Sequence, residues 1–318
     1  MNLNISAMNF SERTHKMLEV TLLGTGGTMP LKNRWLSSCL IKHMGHSILI
    51  DCGEGTQIAL KHSENKFKPI DIICITHFHA DHISGLPGFL LSMSNEGRTE
   101  PVTIIGPAGL KKVVSAICII APNLPFELRL LEYPTDISEF EFGDIKITPF
   151  TAKHSVVCAG YNFKLKRVGK FDPEKAKQNN VPMKIWGQLQ KNETVIYNNT
   201  EYKQSMVLGN ARKGIKITYC TDSRPTENII NHAKNADLFI YEGMFGDNEK
   251  LPRAVETGHC LFSEAAETAK KASVKKLWLT HYSPSLTEPE LYEHIAKEIF
   301  PDTELGFDGK YEKIHFPE

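Results

Sequence analysis

Three histidines and an aspartate fall within six residues, at His77, His79, Asp81 and His82. His77 and His79 are two positions apart, so in extended backbone their side chains project to the same side. Asp81 and His82 follow where an apolar strand turns into a helix, and they can face a second ion. Zinc accepts imidazole and carboxylate ligands, with manganese and iron as alternatives. The hexapeptide therefore predicts a two-metal site rather than a chance cluster of surface histidines.

Three further candidate ligands each follow an apolar run elsewhere in the chain. A lone histidine is more often structural than functional, so each of them alone is a weak signal. All three nevertheless lie at the C-terminal ends of predicted strands, where layered α/β folds place their functional groups. We therefore expect them to complete the two-metal site. They are His154, Asp222 and His281, which follow residues 145–150, 215–220 and 276–279.

The elements that must position these residues alternate between strand-like and helical patterns. Strand-like runs are rich in Ile, Val, Leu and Phe, and the first half of the chain holds more of them than a simple βαβ ladder would. This mixture predicts an α/β fold in which two mixed sheets pack face to face with helices outside. The predicted strands are 18–23, 47–50, 70–75, 102–105, 145–150, 215–220, 238–241 and 276–279. The predicted helices are 55–63, 83–94, 110–120, 226–233, 263–272 and 288–300.

The composition is that of an ordinary globular protein, with 41% hydrophobic and 23% charged residues and a formal net charge of zero. Nucleic-acid binding would therefore need a local basic patch. The seven cysteines form no Cys-x-x-Cys pair, so we expect buried thiols in a reducing compartment. No apolar run has the length of a membrane span, and no secretory signal opens the chain. We expect a cytoplasmic protein with one domain over residues 17–318, preceded by a poorly ordered extension at 1–16.

One segment stands apart because its charge is one-sided. Residues 161–191 carry seven lysines and Arg167 against Asp172 and Glu174, a net charge of +6. A solvated hairpin or loop would account for this composition. So would an arm that grips a polyanion, with an aromatic side chain such as Trp186 for stacking. The residues alone leave both interpretations open.

In their types and order, these motifs resemble the metallo-β-lactamase superfamily and, more narrowly, the ribonuclease Z family. The resemblance extends from Leu18 to the C-terminus. It rests on the glycine-rich run at 23–27, the Asp-Cys-Gly-Glu-Gly-Thr-Gln run at 51–57 and the hexapeptide at 77–82. It also includes His154, Thr221-Asp222-Ser223, Glu242, His259 and Thr280-His281. It implies an αββα sandwich of two mixed sheets flanked by helices, with an inserted basic arm at about 165–195.

The resemblance also implies a role for each site residue. One of two zinc ions, with manganese or iron as alternatives, would be held by His77, His79 and His154. The other would be held by Asp81, His82 and His281, with Asp222 bridging both and Asp51 supporting the ligands from behind. Asp81 would also orient the attacking water, and His259, held by Glu242, would protonate the leaving oxygen. Within the arm, the implied substrate contacts are Lys170, Lys175, Lys177, Lys184 and Trp186.

The implied activity is that of a zinc-dependent endoribonuclease. It would remove the 3′ trailer from precursor tRNA by two-metal hydrolysis of a phosphodiester and leave a 3′-hydroxyl on the tRNA. The expected assembly is a homodimer. The alternatives are a hydrolase of the same fold acting on a small phosphodiester, a lactamase or thioesterase, a di-iron reductase, and an RNA-binding module with a lapsed site. The intact ligand set and the basic arm favour the endoribonuclease.

Overall fold

The computed structural model describes residues 17–317, which form two compact units. The larger comprises residues 17–164 and 215–315, and we call it the two-sheet unit. The smaller comprises Leu165–Gly214 with residues 316 and 317, and we call it the basic unit. The predicted extension at 1–16 lies outside the described residues.

Sixteen strands and ten α-helices are found in the described residues. The strands are β1 (Met17–Gly24), β2 (Ser38–His43), β3 (His46–Ile50), β4 (Ile70–Cys74), β5 (Val102–Pro107), β6 (Leu128–Tyr133), β7 (Phe140–Phe142), β8 (Ile145–Lys153), β9 (Val157–Arg167), β10 (Thr194–Tyr197), β11 (Thr200–Lys203), β12 (Arg212–Cys220), β13 (Leu238–Glu242), β14 (Leu277–Thr280), β15 (Thr303–Leu305) and β16 (Tyr311–His315). The helices are α1 (Thr56–His62), α2 (Ala80–Ile83), α3 (Leu86–Asn95), α4 (Leu110–Ile117), α5 (Pro173–Gln178), α6 (Trp186–Leu189), α7 (Glu227–Ala233), α8 (Leu251–Thr257), α9 (Phe262–Lys271) and α10 (Glu293–Ile299).

Two seven-stranded sheets form the larger unit. The first has the order β16-β1-β2-β3-β4-β5-β6. Its neighbours are antiparallel from β16 to β3 and parallel from β3 to β6. The second has the order β15-β14-β13-β12-β9-β8-β7, parallel from β12 to β15 and antiparallel at β7 and β8. Both sheets are mixed, which confirms the prediction.

Alternation along the strands of the first sheet places apolar side chains on both of its faces. Leu49 of β3 packs in one apolar cluster with Leu60 of α1 and Phe89 of α3. Ile48 and Ile50, its neighbours in β3, are equally buried and point to the opposite face. That face meets the second sheet, because the Tyr161 hydroxyl of β9 donates to the carbonyl of Ile75, just after β4, over 2.6 Å.

The outer face of the second sheet is covered by α7, α9 and α10. Phe239 of β13 and Leu279 of β14 lie in one cluster with Ile229 of α7 and the alanines of α9. Alanine at 265, 266 and 269 is fully buried, and its small side chain lets α9 lie close against the sheet. The layers therefore run helix, sheet, sheet, helix, as predicted.

The predicted helix at 83–94 is wrong in one respect that matters for the site. The structure ends α2 at Ile83 and starts α3 at Leu86. Between them, Gly85 lies against the backbone of Gly53, where a Cβ atom on Gly85 would come within 2.0 Å of the Gly53 carbonyl oxygen. The amide of Gly85 also donates to the carbonyl of Cys52 over 3.0 Å. This close approach interrupts the helix and fixes α2 against the loop that follows β3.

The basic unit has an apolar core of its own. It contains α5, α6 and the hairpin of β10 and β11, and its buried side chains are Ala176, Val181, Ile185, Leu189, Val207 and Leu208. The interpretation of 161–191 as a solvated hairpin or loop is therefore wrong: the segment begins within β9 and continues into packed helices. The predicted arm at about 165–195 falls inside this unit, which continues to Gly214. Its short elements explain the weak periodicity of the sequence.

Candidate metal centre

The hexapeptide is positioned by the end of β4 and the start of α2. His79 is the residue before α2 and has an extended backbone (φ −66°, ψ 149°). Asp81 and His82 lie in the first turn of that short helix. The histidines at 77 and 79 therefore precede the turn and the other two residues follow it, as the sequence predicts.

One group of candidate ligands consists of His77, His79, His154 and Asp222, whose donor atoms all lie within 4.8 Å of one another. Nε2 of His77 is 2.9 Å from Nδ1 of His79, and Nε2 of His154 is 3.4 Å from the same Nδ1. Oδ2 of Asp222 lies 3.6 Å from Nε2 of His77 and 3.8 Å from Nε2 of His154. These ring nitrogens and the carboxylate oxygen converge on a common point.

The second group is Asp81, His82 and His281. Oδ2 of Asp81 lies 3.5 Å from Nε2 of His82 and 3.6 Å from Nε2 of His281. The two ring nitrogens are 3.3 Å apart. The other oxygen of Asp222, Oδ1, faces this group at 3.3 Å from His82 and 3.1 Å from His281. Asp222 thus presents one oxygen to each group.

The donor set fits two divalent ions. Zinc–nitrogen bonds of 2.0–2.1 Å in tetrahedral geometry place two ligand nitrogens about 3.3 Å apart, and the observed separations lie around that value. Oδ1 of Asp222 is buried without a hydrogen-bond donor among the described residues, an arrangement that is costly unless a cation satisfies the oxygen. Imidazoles with a few carboxylates are characteristic of zinc, manganese and iron sites.

Electrostatics in the first group, together with Asp222, favours a cation. Burial, together with the neighbouring imidazoles, lowers the pKa of His77 to about 2, and burial also lowers the pKa of His154. These rings are neutral at physiological pH, so their lone pairs are available. Burial opposes ionisation of Asp222, but His281 and His82 outweigh it and hold the pKa of that carboxyl well below its usual range. Asp222 is thus a carboxylate beside the neutral rings of His77 and His154, the form of these groups that binds metal.

Three site residues have a left-handed backbone, which is unusual for residues other than glycine. Asp51, Asp222 and His281 have φ values of 58°, 49° and 59°. Asp51 and His281 directly follow a strand, and Asp222 is the second residue after one. Such conformations persist only where the surrounding structure enforces them, and they concentrate at functional sites.

Asp51 is fully buried behind the metal centre. Its Oδ2 lies 2.8 Å from Nδ1 of His82, so it orients the ring whose Nε2 faces the second group. Its Oδ1 accepts the Thr76 amide over 2.7 Å, and the Thr76 hydroxyl donates to the same carboxylate. The sequence prediction placed Asp51 here but missed Thr76, because a threonine just after an apolar strand gives no distinct signal.

Glu242 and His259 lie beside the metal ligands. Oε2 of Glu242 is 3.0 Å from Nδ1 of His259, and Glu242 is fully buried. His259 follows Gly258, whose left-handed backbone (φ 77°) ends α8. Burial opposes protonation of His259, but the Glu242 carboxylate outweighs it and raises the pKa of His259 to about 8. The imidazole is therefore mostly protonated at neutral pH.

The sequence prediction also missed the close approach of two backbone segments. The Thr28 amide donates to Oδ2 of Asp81 over 2.7 Å. A Cβ atom on Gly27 would come within 2.7 Å of the His281 ring, and one on Gly53 within 1.9 Å of the Asp81 carbonyl oxygen. The glycine-rich runs that marked the family resemblance therefore leave room for Asp81 and His281.

The arm residues named from the sequence fall into two kinds. Lys170, Lys177 and Lys184 are exposed, and Lys177 is paired with Glu174 over 2.9 Å. Lys175 donates to the Leu208 carbonyl over 2.8 Å. The indole of Trp186 donates to the Val181 carbonyl over 2.9 Å and packs against Phe171. Lys175 and Trp186 thus hold the basic unit together, and the exposed lysines are freer to contact a ligand.

A curated protein from Agathobacter rectalis, "Ribonuclease Z", is 53% identical over 302 residues, which are 95% of this chain and 100% of that protein. This chain belongs to the ribonuclease Z family. The resemblance found in the sequence is therefore confirmed. A model of another family, described as "Anti-Pycsar protein Apyc1", matches residues 18–116, less than half of the chain.

Solved structures agree on the fold of this ribonuclease Z family member. The human tRNase Z, short form, has a TM-score of 0.66 and 24% identity, and the match covers 94% of this chain and all of that one. The metallo-β-lactamase fold protein YhfI from Bacillus subtilis has a TM-score of 0.68 and 18% identity, with 94% and 100% covered. The predicted metallo-β-lactamase fold is thus confirmed.

Proposed function

We propose that this member of the ribonuclease Z family hydrolyses the phosphodiester that joins the 3′ trailer to precursor tRNA and leaves a 3′-hydroxyl on the tRNA. Family membership supports the endoribonuclease activity predicted from the sequence. The observation that carries the proposal is Asp222, which presents one oxygen to each of two ligand groups beside the His259–Glu242 pair. This arrangement serves phosphodiester hydrolysis, in which water attacks and an alkoxide leaves.

The metals that we propose are two zinc ions per chain, with manganese or iron as alternatives. His77, His79 and His154 would hold one ion, Asp81, His82 and His281 the other, and Asp222 both. When bound, such a pair lowers the pKa of a water molecule and neutralises charge that develops on the phosphate. His82 is held in place by Asp51 at 2.8 Å, which keeps its Nε2 directed at the second group.

Asp81 is placed to orient the attacking water. The Thr28 amide fixes its Oδ2 from one side, and the imidazoles at 82 and 281 face the same oxygen. Burial opposes ionisation of Asp81, but hydrogen bonds from His281 and His82 outweigh it and hold its pKa well below the usual range. The carboxylate therefore stays ionised and accepts hydrogen bonds throughout the working pH range.

His259 is placed to donate a proton to the departing 3′ oxygen. Its Nδ1 is engaged by Glu242, so Nε2 is the nitrogen left to carry the transferred proton. A donor with a pKa of about 8 is protonated at neutral pH and close enough to neutrality to give up its proton. The same pair would have no role in a hydrolase whose leaving group needs no proton.

The basic unit is proposed to bind the body of the tRNA. Residues 165–214 contain eight lysines and two arginines against four acidic residues, a net charge of +6. Exposed lysines such as Lys170 and Lys184 suit phosphate contacts, which supply most of the affinity for nucleic acid. A small phosphodiester would gain little from such a surface.

A cleavage assay tests the proposed function. Zinc-loaded protein is incubated with a precursor tRNA carrying a 3′ trailer, and the ends are mapped. We expect a single cut 3′ of the discriminator nucleotide, with a 3′-hydroxyl on the tRNA and a 5′-phosphate on the trailer. A matched RNA with the trailer on an unstructured strand serves as the control. No cut in the precursor, with rapid hydrolysis of a cyclic nucleotide, would favour the small-phosphodiester alternative.

Two further features belong to the proposal. We place the protein in the reducing cytoplasm, which suits seven free thiols, six of them buried. No helix among residues 17–317 is long and apolar enough to cross a membrane. The homodimer stays a prediction, and the mass of the protein in solution by light scattering would test it.

A further inference from the structure

Three consecutive residues after β12 connect the candidate metal centre to the candidate proton donor. Asp222 presents its oxygens to both ligand groups. The amide of the next residue, Ser223, donates to Oε1 of Glu242, whose other oxygen holds the His259 ring. The side chain of Arg224 then donates from Nη1 to the backbone carbonyl of His259 over 2.6 Å. His259 is thus held at its ring and at its backbone from one short segment.

Arg224 is itself fixed by a carboxylate. Glu264, in the first turn of α9, forms a two-pronged ion pair with its guanidinium, with Nη1 at 2.7 Å from Oε2. Their side chains are only 18% and 21% exposed, so solvent screens this pair less than a surface pair. Oε2 of Glu264 also accepts the Leu261 amide over 3.0 Å. Arg224 and Glu264 therefore both bind the backbone of the loop at 258–261, at His259 and at Leu261.

We propose that Arg224 and Glu264 are positioning residues for proton transfer by His259. The inference rests on the proposed function, because it assigns them to the proton donor of that reaction. Among the described residues, neither side chain has a hydrogen bond or ion pair with the side chain of a candidate metal ligand. Their effect passes through the backbone of His259, whose displacement moves the imidazole relative to the leaving oxygen. Misplacement by about 1 Å can reduce a catalysed rate by about 10²-fold.

The geometry separates this role from general support of the fold. The backbone amide of Arg224 donates to the Lys153 carbonyl over 3.0 Å, and this bond does not depend on the side chain. The segment that carries Asp222 therefore keeps its anchor when the guanidinium is removed. Without the guanidinium, the His259 carbonyl loses its donor, and His259 itself keeps the bond from its own amide to the Ala254 carbonyl and the ring contact with Glu242. The rest of its loop stays tied by the Phe245 amide, which donates to the Cys260 carbonyl over 3.4 Å, and by Nδ1 of His154, 3.3 Å from the Gly258 carbonyl. Loss of Arg224 should displace the donor and leave the metal ligands in place.

The test compares substrates that differ in their need for a proton. The ribose 3′ oxygen of precursor tRNA is a poor leaving group, whereas p-nitrophenolate leaves bis(p-nitrophenyl) phosphate without protonation. For R224M we expect kcat on precursor tRNA to fall about 10- to 100-fold. We expect kcat on the small diester to stay within about twofold and bound metal to match the unsubstituted protein. E264Q, which keeps an acceptor for the Leu261 amide, should show the same split to a smaller extent.

Two reference variants make the result interpretable. R253M breaks the exposed ion pair of Arg253 with Glu256 in the neighbouring α8. It should leave kcat unchanged on both substrates. H259A should show the largest difference between the two substrates, with kcat strongly reduced on precursor tRNA and nearly unchanged on the small diester. Should H259A show the split while R224M and E264Q do not, the positioning role is refuted and the proposed proton donor stands. Should H259A lose activity equally on both substrates, the proton donor itself is refuted, and the inference with it.

A further substitution covers poor folding of R224M. R224K retains a positive charge and one donor nitrogen, and we expect it to restore part of the activity on precursor tRNA. Equal losses on both substrates for R224K and E264Q, with reduced metal content, would show that the pair merely supports the fold and would overturn the inference.

Discussion

The two units hold their charged side chains in opposite ways. In the two-sheet unit, Asp51, Asp222 and Glu242 are at most 2% exposed, and each faces a histidine at close range. In the basic unit, Lys170 and Lys184 are exposed on a small apolar core. Water and salt screen the charges of the second kind, while those of the first kind are screened much less. Under the proposed function, the chemistry would depend on distances between buried groups, and substrate binding would depend on the sum of exposed charge.

The largest effect that we expect comes from breaking the bridge between the two ligand groups. D222A should lower cleavage of both precursor tRNA and a small diester at least about 10³-fold, because both proposed ions would lose a shared ligand. Metal content measured by inductively coupled plasma mass spectrometry should fall with activity. D302A changes an exposed aspartate and should leave both values unchanged. Two ions per chain in D222A would contradict the bridging role.

The second-largest effect that we expect comes from deprotonation of His259. The fraction of protonated His259 falls as the pH rises through its pKa of about 8. The rate of precursor cleavage should therefore fall about tenfold per pH unit above that pKa. E242Q removes the carboxylate that raises this pKa, so it should move the decline to lower pH. A decline that stays in place in E242Q would show that another group titrates.

A methyl group tests how tightly the buried site is packed. G27A would place a Cβ atom 2.7 Å from the His281 ring, so we expect the ring to move and metal affinity to fall about 10- to 100-fold. Competition with a chromogenic chelator measures that affinity. G88A is the control, since a Cβ atom there meets only the Gln57 side chain at 3.5 Å. Unchanged affinity in G27A would mean that the site is more tolerant than its packing indicates.

The basic unit should give the smallest and most salt-dependent effect. K170E with K184E should weaken precursor binding several-fold and lower the slope of log affinity against log salt by about 1 for each lysine–phosphate interaction removed. Hydrolysis of a small diester should not change. These substitutions leave the apolar core of the unit intact, unlike a deletion across 170–191. The paired control, K112E with K270E, changes exposed lysines of the two-sheet unit. An equal loss in that control would assign binding to net charge alone.

Features that depend on residues close together in the chain could be predicted from the sequence, and features that depend on contacts between distant residues could not. The strands that precede the candidate ligands were found because the largely apolar runs at 70–75, 145–150, 215–220 and 276–279 are each followed directly by a polar residue. The hexapeptide was found because its spacing is local. The break between α2 and α3 was missed because it depends on the approach of Gly53, more than thirty positions away in the chain. Arg224 and Glu264 were missed for the same reason, because forty positions separate them in the chain. Neither residue belongs to a distinctive local motif.

The charge of the basic unit could be predicted from the sequence, but its packed apolar core could not. Its net positive charge is visible in the composition of 161–191. Its core is assembled from isolated apolar residues such as Val181, Leu189 and Leu208, which are too widely spaced to give a helical or strand period. Trp186 therefore resembled an exposed stacking platform, while the structure gives its indole a partner at Val181.

The left-handed backbone of Asp51, Asp222 and His281 has a consequence for how such a protein can change over generations. Glycine adopts these φ values without penalty, so D222G should be more stable than D222A although both are inactive. Selection for thermal stability alone would therefore favour the loss of the Asp222 side chain, whereas Asp51 also satisfies the buried Thr76 amide. Retention of Asp222 in a lineage would signal that hydrolysis is still under selection, and a library screened for melting temperature without an activity screen should lose it early.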